Sequence, residues 1–157
     1  MARDLERFLI AQSADDTYAT ALAELRAGRK RSHWMWFVLP QLRGLGRSDI
    51  AQHYGIDGVE EARRYLADPV LGPRLVECAQ TLLDLPGDDP VAVLGEVDAQ
   101  KLRSSMTLFA HAATDDADRP RTATFVAVLG RYFGGAEDDE TLRLLAAGAP
   151  AGVVERT

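Results

Sequence analysis

Apolar residues recur along most of the chain at helical rather than strand spacing. Leu5, Phe8, Leu9 and Gln12 share one face of a first predicted helix, and Tyr18, Leu22 and Leu25 one face of a second. Gly28 closes that second helix where a C′ residue belongs. The stretch Trp34 to Leu39 is continuously apolar and stops at Pro40, a pattern shared by a buried strand and a short helix, of which the short helix is preferred. Ser48 is an N-cap for a short helix ending near Gly55, and Asp57 opens another through Glu60, Ala62, Tyr65 and Leu66. Leu71, Leu75, Cys78, Ala79, Leu82 and Leu83 form an amphipathic stripe that ends before Pro86. Cys78 inside that stripe is read as core packing rather than as a reactive thiol.

Further on, Gly87-Asp88-Asp89-Pro90 is a turn, with Pro90 at the first position of a short helix to about Gly95. A longer helix is predicted from about Val97 to Ala113. The polar, acidic segment Thr114 to Arg121 contains Pro120 and reads as a surface loop. Phe125, Val128, Leu129 and Phe133 form a stripe closed by Gly134-Gly135. Leu142, Leu144 and Leu145 form a last helix before Gly148 and Pro150, and the tail from Ala151 to Thr157 is expected to fray. With no internal repeat and no long linker, the prediction is one compact, multi-helical all-α domain over 1–157. It comprises about seven to nine helices, with an ordered core from about residue 4 to 148.

The helix that carries Asp98 has a polar margin. At about 100° per residue from Asp98, Leu102, Met106, Phe109 and Ala113 fall between roughly 20° and 80°, while Ser105 and Lys101 fall near 340° and 300°. Asp98, Lys101 and Ser105 therefore form a polar row beside the buried face, where pocket walls are made. The plainer alternative is a boundary ion pair with Ser105 bonded back to its own helix.

Composition changes this picture in two ways. Of 18 basic residues only Lys30 and Lys101 are lysine, and four of the five serines lie close to one or the other. A chain that otherwise uses arginine hints that the compact ammonium matters at these two positions. Charge is also uneven. No acidic residue lies between Glu24 and Asp49, while Arg26, Arg29, Lys30, Arg31, Arg43 and Arg47 give that stretch six positive charges within a chain of net charge −6. Such an island attracts an anionic ligand or an acidic partner, or else it is a solvated loop paired with acidic helices. The acidic remainder argues against an extended nucleic-acid surface.

Other classes are disfavoured. At 157 residues, 46% hydrophobic, the chain buries a single core without disulfide or metal. No apolar run approaches 18 residues, so no membrane span is expected. Cys78 stands alone and no signal-peptide pattern opens the chain, so the cytoplasm is the expected location. His33, His53 and His111 lack close ligand spacing, and neither metal nor cofactor is expected.

Two long motifs carry a resemblance. Residues 28–41, Gly28-Arg29-Lys30-Arg31-Ser32-His33-Trp34-Met35-Trp36-Phe37-Val38-Leu39-Pro40-Gln41, precede Gly44-Leu45-Gly46-Arg47-Ser48. The second motif is Asp98-Ala99-Gln100-Lys101-Leu102-Arg103-Ser104-Ser105-Met106-Thr107-Leu108-Phe109. With Leu5-Glu6-Arg7-Phe8 and Ala11-Gln12, they resemble the bacterial domain-of-unknown-function family 1810 from about residue 4 to 146. The resemblance implies a compact all-α fold and no established activity. The label "calpastatin" carried by some members denotes a disordered inhibitor chain, which a globular composition does not fit.

Together these readings point to a pocket in which the 29–48 island faces the 98–107 helix. Its expected ligand is a small anionic, ring-bearing metabolite such as a nucleotide or ribosyl phosphate. Arg29, Lys30, Ser32, His33, Trp34, Trp36, Gln41, Ser104 and Ser105 are the candidate binding residues, with cations for the anion and an indole for the ring. Asp98 and Lys101 are the candidate catalytic pair should hydrolysis follow binding, Asp98 acting as general base. The alternative is a protein-docking module that uses the tryptophan-containing 26–47 island.

Overall fold

The computed structural model describes residues 4–113 and 118–151, nearly all of them in helices or the short turns between helices. In chain order these are α1 (Glu6–Ser13), α2 (Thr17–Arg26), α3 (Met35–Val38), α4 (Asp49–Tyr54), α5 (Val59–Ala67), α6 (Leu71–Asp84), α7 (Pro90–Leu94), α8 (Glu96–Ala112), α9 (Arg119–Phe133) and α10 (Asp139–Ala151). The fold is all-α, as the periodicity requires. The one β-type pairing among the described residues is an isolated parallel bridge between Leu42 and Ile56.

Helix α8 is the hub and packs against α5, α7, α9 and α10. Its middle, Ser104 to Phe109, is buried on every side, whereas helices at the surface of the fold bury one stripe only. Burial all round forces its polar residues to find partners locally: Ser104 Oγ donates to the Gln100 carbonyl at 3.2 Å and Thr107 Oγ1 to that of Arg103 at 2.8 Å. One hydrophobic cluster joins every helix to this hub, with Phe8, Trp34, Tyr65, Phe109 and Phe125 fully buried in it. Each such aromatic contributes on the order of 1.5–3 kcal/mol through apolar burial.

Local signals explain most boundaries. Ser48 Oγ accepts from the Ala51 amide at 3.2 Å, and the Asp89 carboxylate accepts from the Val91 and Ala92 amides ahead of Pro90. The continuously apolar 34–39 stretch is a short helix, α3. Three features differ from the sequence reading. Helix α9 starts at Arg119 with Pro120 in its first turn, where no N–H is needed, so residues 119–121 of the predicted 114–121 loop are helical, and 114–117 lie outside the described residues. Helix α10 does not stop before Gly148. It continues to Ala151, and the glycine within it costs only about 1 kcal/mol relative to alanine. The expected fraying beyond Ala151 falls outside the described residues. Third, Asp15 and Asp16 both adopt left-handed backbone (φ 52° and 56°) and break α1 from α2, a kink that nothing in the hydrophobic pattern announces.

Two polar ties set the positions of α1, α3 and α5. Gln12, buried, donates from Nε2 to the Phe37 carbonyl at 2.7 Å and so fixes α3 on α1. The Arg7 guanidinium uses all five donors. It meets both Glu61 oxygens at 2.9 and 3.0 Å and the carbonyls of Asp4, His53 and Gly55. Glu61 Oε1 also accepts from the Asp57 amide at 2.8 Å.

Candidate anion-binding site

The site begins at the C-terminus of α2. Gly28 adopts φ +75°, its amide bonds the Leu25 carbonyl and the Arg29 amide bonds the Glu24 carbonyl, each at 3.0 Å. This pair of bonds is the left-handed helix stop that glycine alone makes without strain. The chain then reverses, and the Lys30 amide donates to the Val93 carbonyl at 2.7 Å, seating the loop on the end of α7.

Glu24, the last acid before the basic island, organises that loop. Its carboxylate accepts from the Arg31 amide (2.8 Å), the Ser32 amide (3.0 Å), the Ser32 hydroxyl (2.6 Å) and the Trp34 indole N–H (2.9 Å). Burial alone would raise its pKa. The hydrogen bonds from the Ser32 hydroxyl, the Arg31 amide and the Trp34 indole outweigh that and hold it at about 2.

With the loop fixed, Lys30 points inward. Its Nζ lies 2.8 Å from Asp98 Oδ2, bonds the Ser32 carbonyl, and sits 5.0 Å from the centre of the Trp34 ring. Asp98 occupies the first turn of α8, where the helix dipole favours a carboxylate. One turn later Lys101 Nζ reaches Asp98 Oδ1 at 3.4 Å and lies 4.2 Å from the centre of the Trp36 ring. Both lysines of the chain thus converge on one carboxylate, each beside its own indole. The side chains of Lys30, Lys101 and Asp98 are 9%, 16% and 20% exposed, so the cluster lies just below the surface with one net positive charge.

The remaining candidates divide into groups. Trp34 is fully buried, so it offers no face to a ligand and instead backs Lys30, while Trp36 stays half-exposed. Ser32 is engaged by Glu24. Ser104 and Ser105 are buried within α8, and Ser105 Oγ is the one buried side-chain polar atom without a hydrogen-bond partner among the described residues. Arg29, Arg31 and His33 are exposed. Gln41 is half-buried, and its carbonyl accepts from the Ile56 amide at 2.9 Å. Among the described residues no three or more His, Cys, Asp or Glu side chains group as metal ligands, and no helix is long and apolar enough to cross a membrane.

Sequence reasoning missed Glu24. The available signal was its position: a lone carboxylate directly before a run of cations and loop amides.

The chain as a whole is similar to known proteins. A family model described as "Protein of unknown function (DUF1810)" matches residues 2–145. Among solved structures, the chain is similar to the conserved hypothetical protein Rv1873 from Mycobacterium tuberculosis. The identity is 51%, the TM-score 0.84, and the match covers 91% of this chain and 96% of that one. No curated protein matches.

Proposed function

The chain belongs to this family of proteins of unknown function, DUF1810, and we propose that its Lys30–Asp98–Lys101 cluster binds a small anionic, ring-bearing metabolite such as a nucleotide or ribosyl phosphate. The observation that carries the reading is the incomplete use of Lys101. An ammonium has three donors, and among the described residues Asp98, at 3.4 Å, is its one hydrogen-bond acceptor. An under-committed cation beside a half-exposed indole suits an anion attached to a ring: Lys101 takes the charge and Trp36 the ring. Lys30 is bonded on two sides and backed by Trp34, so its part is to hold Asp98 in place.

Binding is favoured over turnover. Both Asp98 oxygens face ammonium groups, and a general-base role requires one of them to be released. The docking alternative loses Trp34 as an anchor, because that ring is enclosed.

A thermal-shift screen against nucleotides and sugar phosphates tests the reading, run on the unsubstituted protein and on Lys101→Ala and Asp98→Ala. A ligand at 100 times its Kd stabilises by about 2.7 kcal/mol, which is readily seen. The expected result is a shift for at least one phosphate ester that Lys101→Ala diminishes. No shift with any ligand, or equal shifts in the variants, overturns the proposal.

A further inference from the structure

The basic island has a second half, beyond α3, that the lysine cluster does not use. Arg43, Gly44, Gly46, Arg47, Gln52 and Asp57 line an open cavity of about 520 Å³. None of these side chains is apolar. Leu45, between the two glycines, turns instead against the hydrophobic core.

The backbone of this loop is held from several directions. The Arg43 amide donates to the Ile56 carbonyl at 2.7 Å, and the Ile56 amide to the Gln41 carbonyl at 2.9 Å. A Cβ on Gly55 would stand 2.7 Å from Arg43 Cα, and one on Gly46 would stand 2.9 Å from Ala51 Cβ. The missing side chains thus let the loop pack closely on its surroundings. Gly44, at φ +106°, lies against Leu144 of α10. Arg43 and Arg47 leave opposite ends of a short segment held by these contacts.

The two guanidiniums are under-committed. Arg43 gives one donor, Nη1, to Asp57 Oδ1 at 3.2 Å, and among the described residues the Arg47 guanidinium makes no hydrogen bond or ion pair. With Asp57 included, the three side chains carry one net positive charge. A guanidinium fork matches the spacing of phosphate oxygens, and two forks lining one polar cavity suit a tetrahedral oxyanion.

We infer that the cavity walled by Arg43, Gly44, Gly46 and Arg47 is a phosphate-binding site, separate from the Lys30–Asp98–Lys101 cluster and independent of what that cluster binds. Free inorganic phosphate and the terminal phosphate of a larger ester share this chemistry.

Calorimetric titration of the full chain with inorganic phosphate, and separately with ribose 5-phosphate, tests the assignment. The chains compared are Lys101→Ala, in which the lysine cluster no longer takes an anion, and Lys101→Ala carrying in addition either Arg43→Lys or Arg47→Ala. Inorganic phosphate is expected to bind with an affinity that falls as salt rises. Arg47→Ala should weaken it by about tenfold, or 1.4 kcal/mol. Arg43→Lys should weaken it by less, because charge is kept and the fork is lost. In the Lys101→Ala background, equal binding of both probes assigns the pocket to the phosphate group alone, whereas tighter ribose 5-phosphate binding, lost when Arg47→Ala is added, assigns it to the phosphate of an ester. Arg47 is exposed, so Arg47→Ala should keep the unsubstituted thermal midpoint. Unchanged affinity when Arg47→Ala is added to Lys101→Ala, or no binding by Lys101→Ala at millimolar phosphate, overturns the inference.

Discussion

Two buried charge clusters in this protein have opposite character. At the α1–α5 contact, Arg7 and Glu61 are 8% and 2% exposed, and all five guanidinium donors and both carboxylate oxygens are engaged. At the α8 start, two lysines share one aspartate, and Lys101 retains donors without protein acceptors among the described residues. The buried pair of the first cluster is saturated and neutral, with the exposed Arg64 a more distant 3.8 Å from Glu61 Oε2, so that pair has nothing left to offer a ligand. The second is unsaturated and positive, so its chemistry is open to a further acceptor. Desolvating charge is costly in both places. Only the saturated one recovers that cost within the fold, and the difference separates a structural ion pair from a candidate binding site.

Substitutions that remove one partner sharpen the contrast, and the largest effect belongs to the saturated cluster. Glu61→Ala leaves the Arg7 guanidinium enclosed without its counter-charge and should lower unfolding stability by about 3–5 kcal/mol in urea denaturation. A loss under about 1 kcal/mol would mean that the pair contributes little, and the distinction would break.

Glu24 lies between the two extremes, structural in its bonds yet supporting the open cluster. Glu24→Gln keeps the shape and removes the charge, and should cost about 1–2 kcal/mol. Its pKa is lowered in the fold from 4.5 to about 2, so its contribution is complete above the unfolded value and is lost as pH falls through the folded one. Between those limits the stability of the unsubstituted protein should therefore decline more steeply with acid than that of Glu24→Gln. Parallel curves would show that the loop is held by other bonds.

Lys101→Ala removes one long ion pair and one cation–indole contact, and should cost about 1 kcal/mol or less while abolishing ligand binding at the lysine cluster. A cost near that of Glu61→Ala would make the lysine cluster structural.

The smallest effect belongs to Cys78, a buried group outside both clusters. Burial pushes its thiol up to about 12, so alkylation at pH 8 should be negligible in the native protein and rapid in urea. Fast native labelling would show α6 opening readily.

Much of this was legible in the chain. Gly28, Ser48 and Asp89-Pro90 marked helix ends because stop and cap chemistry is local. The scarcity of lysine singled out Lys30 and Lys101, although the structure was needed to join them through Asp98. The enclosure of Trp34 was not legible, since an indole ahead of an apolar run serves equally as core or as platform. Nor was the Arg7–Glu61 tie, whose partners lie 54 residues apart and are brought together only by the packing of α1 on α5. The left-handed Asp15 and Asp16 escaped for a similar reason: aspartate tolerates that backbone without demanding it.

Tryptophan fluorescence offers the most direct test of the open cluster, because Trp36 is half-exposed beside Lys101 while Trp34 is enclosed. The account predicts that titrating a nucleotide or sugar phosphate changes the emission of the unsubstituted protein saturably. The change should disappear in Lys101→Ala and survive in Arg47→Ala, both folded. A saturable change that persists in Lys101→Ala, or no change with any of these anions, would contradict it.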